Sequence, residues 1–186
     1  RLDTQVISNN VSSGRPVLIA TLLVNLTISV MTSSLNVSLP VMNREFQASA
    51  VSLTWVVTAY VLAIAVFSVP FSRIADIIGR KKIFLIGAVI FTIISAITLF
   101  SQSIVMVIGC RSIQGISSAM MQGVAIAMLT ASYPASQRGR VLGLSAGTIF
   151  FGQSIGPFIG GLLTEHLGWR SIFGVGVITG LTVVLI

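Results

Sequence analysis

With 54% hydrophobic and only 8% charged residues, this chain of 186 residues falls well below the about 25% charge of a globular domain and has too little polar side chain to clothe a soluble fold. Eleven Lys and Arg against four Asp and Glu leave a net charge of +7, a surplus that fits nucleic acid or the inner face of a bilayer; the long apolar runs decide for the bilayer and against nucleic acid. A single cysteine, Cys110, and a single histidine, His166, exclude an intrachain disulfide framework and a Cys- or His-rich metal site.

In chain order, residues 1–16 read as a cytoplasmic N-terminal tail, polar and without the basic start and small-residue cleavage pattern of a signal peptide. Residues 17–186 read as a transmembrane bundle of six helices, with apolar stretches near 17–39, 52–72, 83–101, 104–132, 141–164 and 171–186. In hydrocarbon every backbone N–H and C=O must be paired internally, and runs this long without two-residue alternation fit helices, not barrel strands. The predicted class is an all-α membrane protein. Arg1, Arg15, Arg73, Arg80, Lys81, Lys82, Arg138 and Arg140 fall on one side and only Arg44 and Arg170 on the other, which predicts a multi-pass protein of the cell membrane with its N-terminus cytoplasmic. The Asn-x-Ser/Thr matches at Asn10, Asn25 and Asn36 are then cytoplasmic or within the membrane, out of reach of glycosylation. Residues 182–186 are still apolar, so the sixth span reads as cut before its exit.

Asn25, Ser29, Thr32 and Asn36 share one face of the first span, and Arg111, Gln114, Ser118 and Gln122 one face of the fourth. Polar atoms facing lipid lack partners, so these stripes are expected to turn toward each other or toward a shared wet cavity. The third span, with nothing larger than Thr or Ser, suits lipid. The likeness of spans one and four predicts two inverted three-helix repeats, a layout of secondary transporters. Arg at mid-bilayer costs about 2.5–3.5 kcal/mol on insertion scales; Arg111 therefore either lines a functional cavity or is pinned to backbone carbonyls or a neighbouring Gln. In the fifth span Gly152, Gly156 and Gly160 repeat every four residues, a spacing that lets another helix approach, while Pro157 beside them is expected to bend the helix. Asp76, between Arg73 and Arg80, predicts a charge cluster in the loop after span two. Glu165 and His166, near Arg170, read as solvated residues of the opposite rim. Met120 and Met121 read as packing filler, Trp55 as an interfacial anchor and Tyr60 as cavity-facing.

Motifs along nearly the whole chain resemble the major facilitator superfamily, most nearly its fourteen-span drug:proton antiporter branch. The loop Arg73-Ile74-Ala75-Asp76-Ile77-Ile78-Gly79-Arg80-Lys81-Lys82 is similar to the superfamily signature between helices two and three, with Ser72 where Gly is usual. Arg111-Ser112-Ile113-Gln114-Gly115 resembles the R-x-x-Q-G of helix four, and the run from Gly152 through Gly156, Pro157, Gly160 and Gly161 resembles the antiporter motif of helix five. Asn36-Val37-Ser38-Leu39-Pro40 resembles the close of helix one, and Trp169-Arg170-Ser171-Ile172-Phe173 the opening of helix six. The resemblance implies the N-terminal half of a transporter working by alternating access. Its implied partners are the lipid bilayer, a small organic substrate and a second six-helix bundle, either a C-terminal half or a homodimer partner. It implies no cofactor and a proton gradient as energy source. Met31 stands where an Asp is common.

The expected substrate cavity and coupling set is Asn25, Asn36, Arg111, Gln114 and Gln122. The gating loop is Arg73, Asp76, Gly79, Arg80 and Lys81, and the antiporter motif is Gly152, Gly156, Pro157, Gly160 and Gly161. The leading expectation is multidrug efflux by proton antiport. Arg111 without a carboxylate neighbour leaves open a proton-independent facilitator or exchanger of an organic anion, and the half-length chain a non-transporting scaffold or regulator. An enzyme is not expected, since no Ser-base pair, paired Asp or His cluster is available.

Overall fold

The computed structural model describes the backbone from Leu2 and the side chains of residues 14–186. Arg1 and the side chains of residues 2–13, including Asn10, lie outside the described residues, and with them most of the segment read as a tail. Six helices follow: α1 (Leu2–Phe46), α2 (Ala50–Ile78), α3 (Arg80–Leu99), α4 (Ile104–Ser132), α5 (Ala135–Leu167) and α6 (Ser171–Leu185). Five of them are long and apolar enough to cross a membrane, counting α1 from Gly14; α6 is apolar but 15 residues long.

Local chemistry explains the breaks. The Ser49 and Ser103 hydroxyls each accept the backbone N–H three residues on, at 3.2 Å, and so cap α2 and α4. Gly79 alone separates α2 from α3, at φ +115°, a backbone region that L side chains rarely adopt. Pro40, Pro70 and Pro157 lie inside helices without ending them, and α5 runs unbroken through Pro157.

The packing order is informative. The two largest interfaces are α1 on α5 and α2 on α4, followed by α3 on α4, α3 on α6 and α1 on α6. Exchanging α1 with α4, α2 with α5 and α3 with α6 maps this pattern onto itself. Short connections make successive helices antiparallel, so α1 and α4 run oppositely, as expected for two inverted three-helix repeats. Each repeat lends its first helix to the middle helix of the other. Met31, Leu35, Met42, Val56, Phe91, Val107, Met121 and Phe173 belong to one shared core. The expectation that α3 faces lipid holds for one side only: Ile86, Val89, Ile93 and Ile97 are exposed, whereas Phe84, Gly87, Ala88, Phe91 and Ser95 are buried.

Candidate functional site

Interhelical distance is set first by small residues. A Cβ on Gly152 would stand 2.8 Å from Ser29 Cβ, and one on Gly160 only 2.5 Å from Ser34 Cα and Cβ. Gly156 is equally tight against Ser33 and the Val30 carbonyl. The close approach of α1 and α5 is then stitched by hydroxyls: Ser34 Oγ donates to the Gly156 carbonyl at 2.7 Å, and Ser38 and Thr164 hydroxyls share a 2.7 Å bond. In the related pair, a Cβ on Gly115 would meet the Tyr60 carbonyl at 2.5 Å and Ala63 Cβ at 2.7 Å, so α2 presses on α4 there. Gly161 has no neighbour at its Cβ position, and Pro157 is exposed.

Where α1, α4 and α5 diverge beyond these contacts, two neighbouring cavity lobes of about 170 and 330 Å³ share Asn25, Gln122 and Ile149. The smaller adds Ser29, Thr32, Tyr60 and Gln153, and the larger adds Ser145 with the apolar Leu142, Ala146 and Ile126. Asn25 Nδ2 donates to Ser145 Oγ at 2.8 Å and bridges α1 to α5. Of the residues expected at the cavity, the structure thus brings Asn25 and Gln122 together. Asn36 is exposed near the far end of α1 and borders neither lobe.

Arg111 and Gln114 lie behind the cavity, not in its wall. Arg111 is 1% exposed; its Nε donates to the Val56 carbonyl at 3.3 Å and its Nη1 to Gln114 Oε1 at 3.1 Å. Gln114 Nε2 passes the chain on to Ser95 Oγ on α3, at 3.0 Å. The guanidinium carbon sits 3.8 Å from the Tyr60 ring centroid, a stacking contact worth up to about 2 kcal/mol when desolvated. The Tyr60 hydroxyl donates to Ser118 Oγ at 3.0 Å. Arg111 Nη2 has no hydrogen-bond partner among the described residues. This is the arrangement pinned to a carbonyl and a neighbouring Gln, with Tyr60 as the residue that touches both Arg111 and the cavity. Met31 is 1% exposed and packs against Gly176 of α6, away from both lobes.

At the end formed by α2 and α3, Arg80 grips Asp76 through Nε at 3.0 Å and Nη2 at 2.9 Å, while its Nη1 reaches the Ala127 carbonyl of α4 at 3.3 Å. Arg73 and Lys81 are exposed around this pair. At the opposite end Arg170 pairs with Glu45 at 2.6 Å and donates to the Ser101 carbonyl at 2.7 Å. Trp169 Nε1 donates to the same Glu45 at 2.6 Å, and Trp169 meets Phe46 and Phe173 edge-on. Glu165 and His166 are exposed, in keeping with their reading as solvated rim residues, and Arg170 is taken by a carboxylate of α1. Gln153, Ser145 and Glu45 were not singled out from the sequence. Gln153 lies within the helix-five motif, whose glycine spacing is the stronger sequence signal.

Two interleaved inverted three-helix units around a shared cavity make up one bundle of a secondary-transporter fold. The chain belongs to the Major Facilitator Superfamily, whose sequence profile matches residues 21–186, and it is a multi-pass membrane protein most similar to the drug-export branch. It is 35% identical over 152 residues to the multidrug resistance protein Stp of Mycobacterium tuberculosis, covering 81% of this chain and 28% of that protein. It is 29% identical over 154 residues to the riboflavin transporter RibZ of Clostridioides difficile, covering 83% of this chain and 34% of that protein. The chain thus spans about a third of the length of the curated relatives it matches. A bacterial homolog of the human lysosomal transporter Spinster, solved inward-facing and unoccupied, shares the fold with a TM-score of 0.70 at 19% identity, over 92% of this chain and 42% of that one.

Proposed function

We propose that this chain is the N-terminal half of a secondary active transporter of the multidrug efflux type, exchanging a small organic substrate for protons by alternating access. The observation that carries this reading is the open cavity between α1, α4 and α5, an apolar surface set with amide and hydroxyl side chains where the two inverted repeats meet. A second six-helix bundle, C-terminal in the same polypeptide or in a partner copy, supplies the remaining wall and rocks against this one in the cell membrane. The basic end carrying Arg73, Arg80, Lys81, Arg138 and Arg140 faces the cytoplasm, with the N-terminus, and the rim of Glu45 and Arg170 faces out. Asp76 and Arg80 close the cytoplasmic side as a charge pair renewed in each cycle.

Arg111 supplies the fixed positive charge of coupling. Its field acts through Tyr60 on the cavity, where it opposes a proton arriving on a group of the second bundle or on water. An exchanger of organic anions draws less support, because the cation that would hold the anion is committed to Val56, Gln114 and the Tyr60 ring.

The test is uptake of ethidium, a cation, and separately of chloramphenicol, a neutral antibiotic, by proteoliposomes holding the intact transporter, with and without an imposed pH gradient. Accumulation of at least one of the two, driven by the gradient and abolished by a protonophore, is expected. Equal flux with and without the gradient overturns antiport, and no flux in either case overturns the transport reading.

A further inference from the structure

We infer that the cavity between α1, α4 and α5 recognises an uncharged group presenting a hydrogen-bond donor and acceptor side by side, the edge of an amide or imide, and not a cationic centre. The inference deepens the proposed transport function and rests on it. Three primary amides, Asn25, Gln122 and Gln153, reach this space from three helices, and they differ in how far they are already committed. Asn25 is held across to Ser145 at 2.8 Å, which fixes its orientation and leaves its carbonyl and second N–H for a ligand. Gln122 on α4 and Gln153 on α5 have no side-chain partner among the described residues, so both offer a complete donor and acceptor pair. A primary amide meets a group with adjacent donor and acceptor in a bidentate pair, the geometry by which Asn and Gln read the edge of adenine.

Charge decides against the alternative. The side chains around the two lobes are amides, hydroxyls and hydrocarbon, with no Asp, Glu, Lys or Arg among them. A cation held against this bundle's wall gives up hydration and gains no countercharge from it, whereas an amide edge exchanges its bonds to water for bonds to protein. Leu142, Ala146 and Ile126 supply an apolar surface for the rest of the molecule, and the larger lobe is of the size that holds a drug-like body.

Two probes of opposite character separate the possibilities in the intact transporter: glutethimide, a neutral cyclic imide whose N–H and C=O lie side by side, and tetraphenylphosphonium, a permanent cation without hydrogen-bonding groups. Equilibrium binding is measured for wild type, Gln122→Leu, Gln153→Leu and Gln122→Glu. Each Leu variant is expected to weaken glutethimide by about 3- to 10-fold, the worth of one lost hydrogen-bonded pair, and to leave tetraphenylphosphonium unchanged. Gln122→Glu keeps the size of the side chain and is expected to tighten tetraphenylphosphonium about tenfold while weakening glutethimide, a gain that damage to the fold does not imitate. Equal losses of both probes in the Leu variants, or no saturable glutethimide binding to wild type, overturn the inference. Because binding is read without a gradient, that failure is separate from a failure of proton-driven flux.

Discussion

Gly160 gives the sharpest test of how the bundle is held. Its missing Cβ would stand 2.5 Å from both Cα and Cβ of Ser34, where carbon atoms need about 3.5–4.0 Å, so Gly160→Ala must push α1 and α5 apart by about 1.0–1.5 Å. That shift stretches the 2.7 Å bond from Ser34 to the Gly156 carbonyl and the 2.7 Å bond between Ser38 and Thr164. Overpacking costs about 1–3 kcal/mol, and interhelical hydrogen bonds in membranes average about 0.6 kcal/mol each, so the loss comes to about 2–4 kcal/mol. Gly143→Ala is the matched control on the same helix, since a Cβ there meets nothing within 4 Å and the gain in helix propensity is about 0.5–1 kcal/mol. The assay is the midpoint of cooperative thermal unfolding in detergent, with Gly160→Ala expected well below wild type and Gly143→Ala level or slightly above. Equal midpoints for the two variants refute the claim that close contact at the serine face sets the α1 to α5 distance.

Two further substitutions separate stability from cycling. Asp76→Asn removes a pair whose side chains are 50% and 41% exposed, so thermal stability is expected to change by less than about 1 kcal/mol while gradient-driven flux falls several-fold; a large fall in melting temperature without a flux defect contradicts the gating role. Met31→Asp restores the acid common at this position in the proteins the chain resembles. Here it buries a carboxylate against Gly176 in a site 1% exposed, at a cost of about 2.5–3.5 kcal/mol by insertion scales. Unchanged unfolding of Met31→Asp would show that the position opens to water.

Helix number, the glycine face of α5 and the inverted repeat were legible because each has a strong periodic signature in one dimension. Of the polar stripe of α1, Asn25, Ser29 and Thr32 reach the cavity and Asn36 does not, while Ser34 and Ser38, outside the stripe, serve α5. Period alone cannot say which neighbour a polar face meets. Arg111 shows the same limit. Its burial follows from its place in an apolar run, but the partner that absorbs it, the face of Tyr60, lies 51 residues away on another helix. Glu45 carries no signal in the sequence because its worth depends wholly on Trp169 and Arg170, 124 and 125 residues downstream, which no local pattern links to the end of α1. Conversely Gly115, noticed only as the last letter of a motif, acquires a mechanical reason: without its bare backbone α2 could not bring the Val56 carbonyl and the Tyr60 ring to Arg111.

The exchange of first helices between the repeats also constrains biosynthesis. The serine face of α1 finds its partner in α5, and Ser34 is separated from Gly156 by 122 residues. At about 5–20 residues per second of synthesis, roughly 6–24 s pass between the emergence of the two. During that interval α1 waits in or beside the insertion machinery with its hydroxyls unpaired, and the first three helices cannot settle into a finished unit ahead of the rest. Splitting the chain in the link between α3 and α4 would therefore yield two fragments, neither able to complete its packing alone, that regain the bundle only when made together in the same membrane.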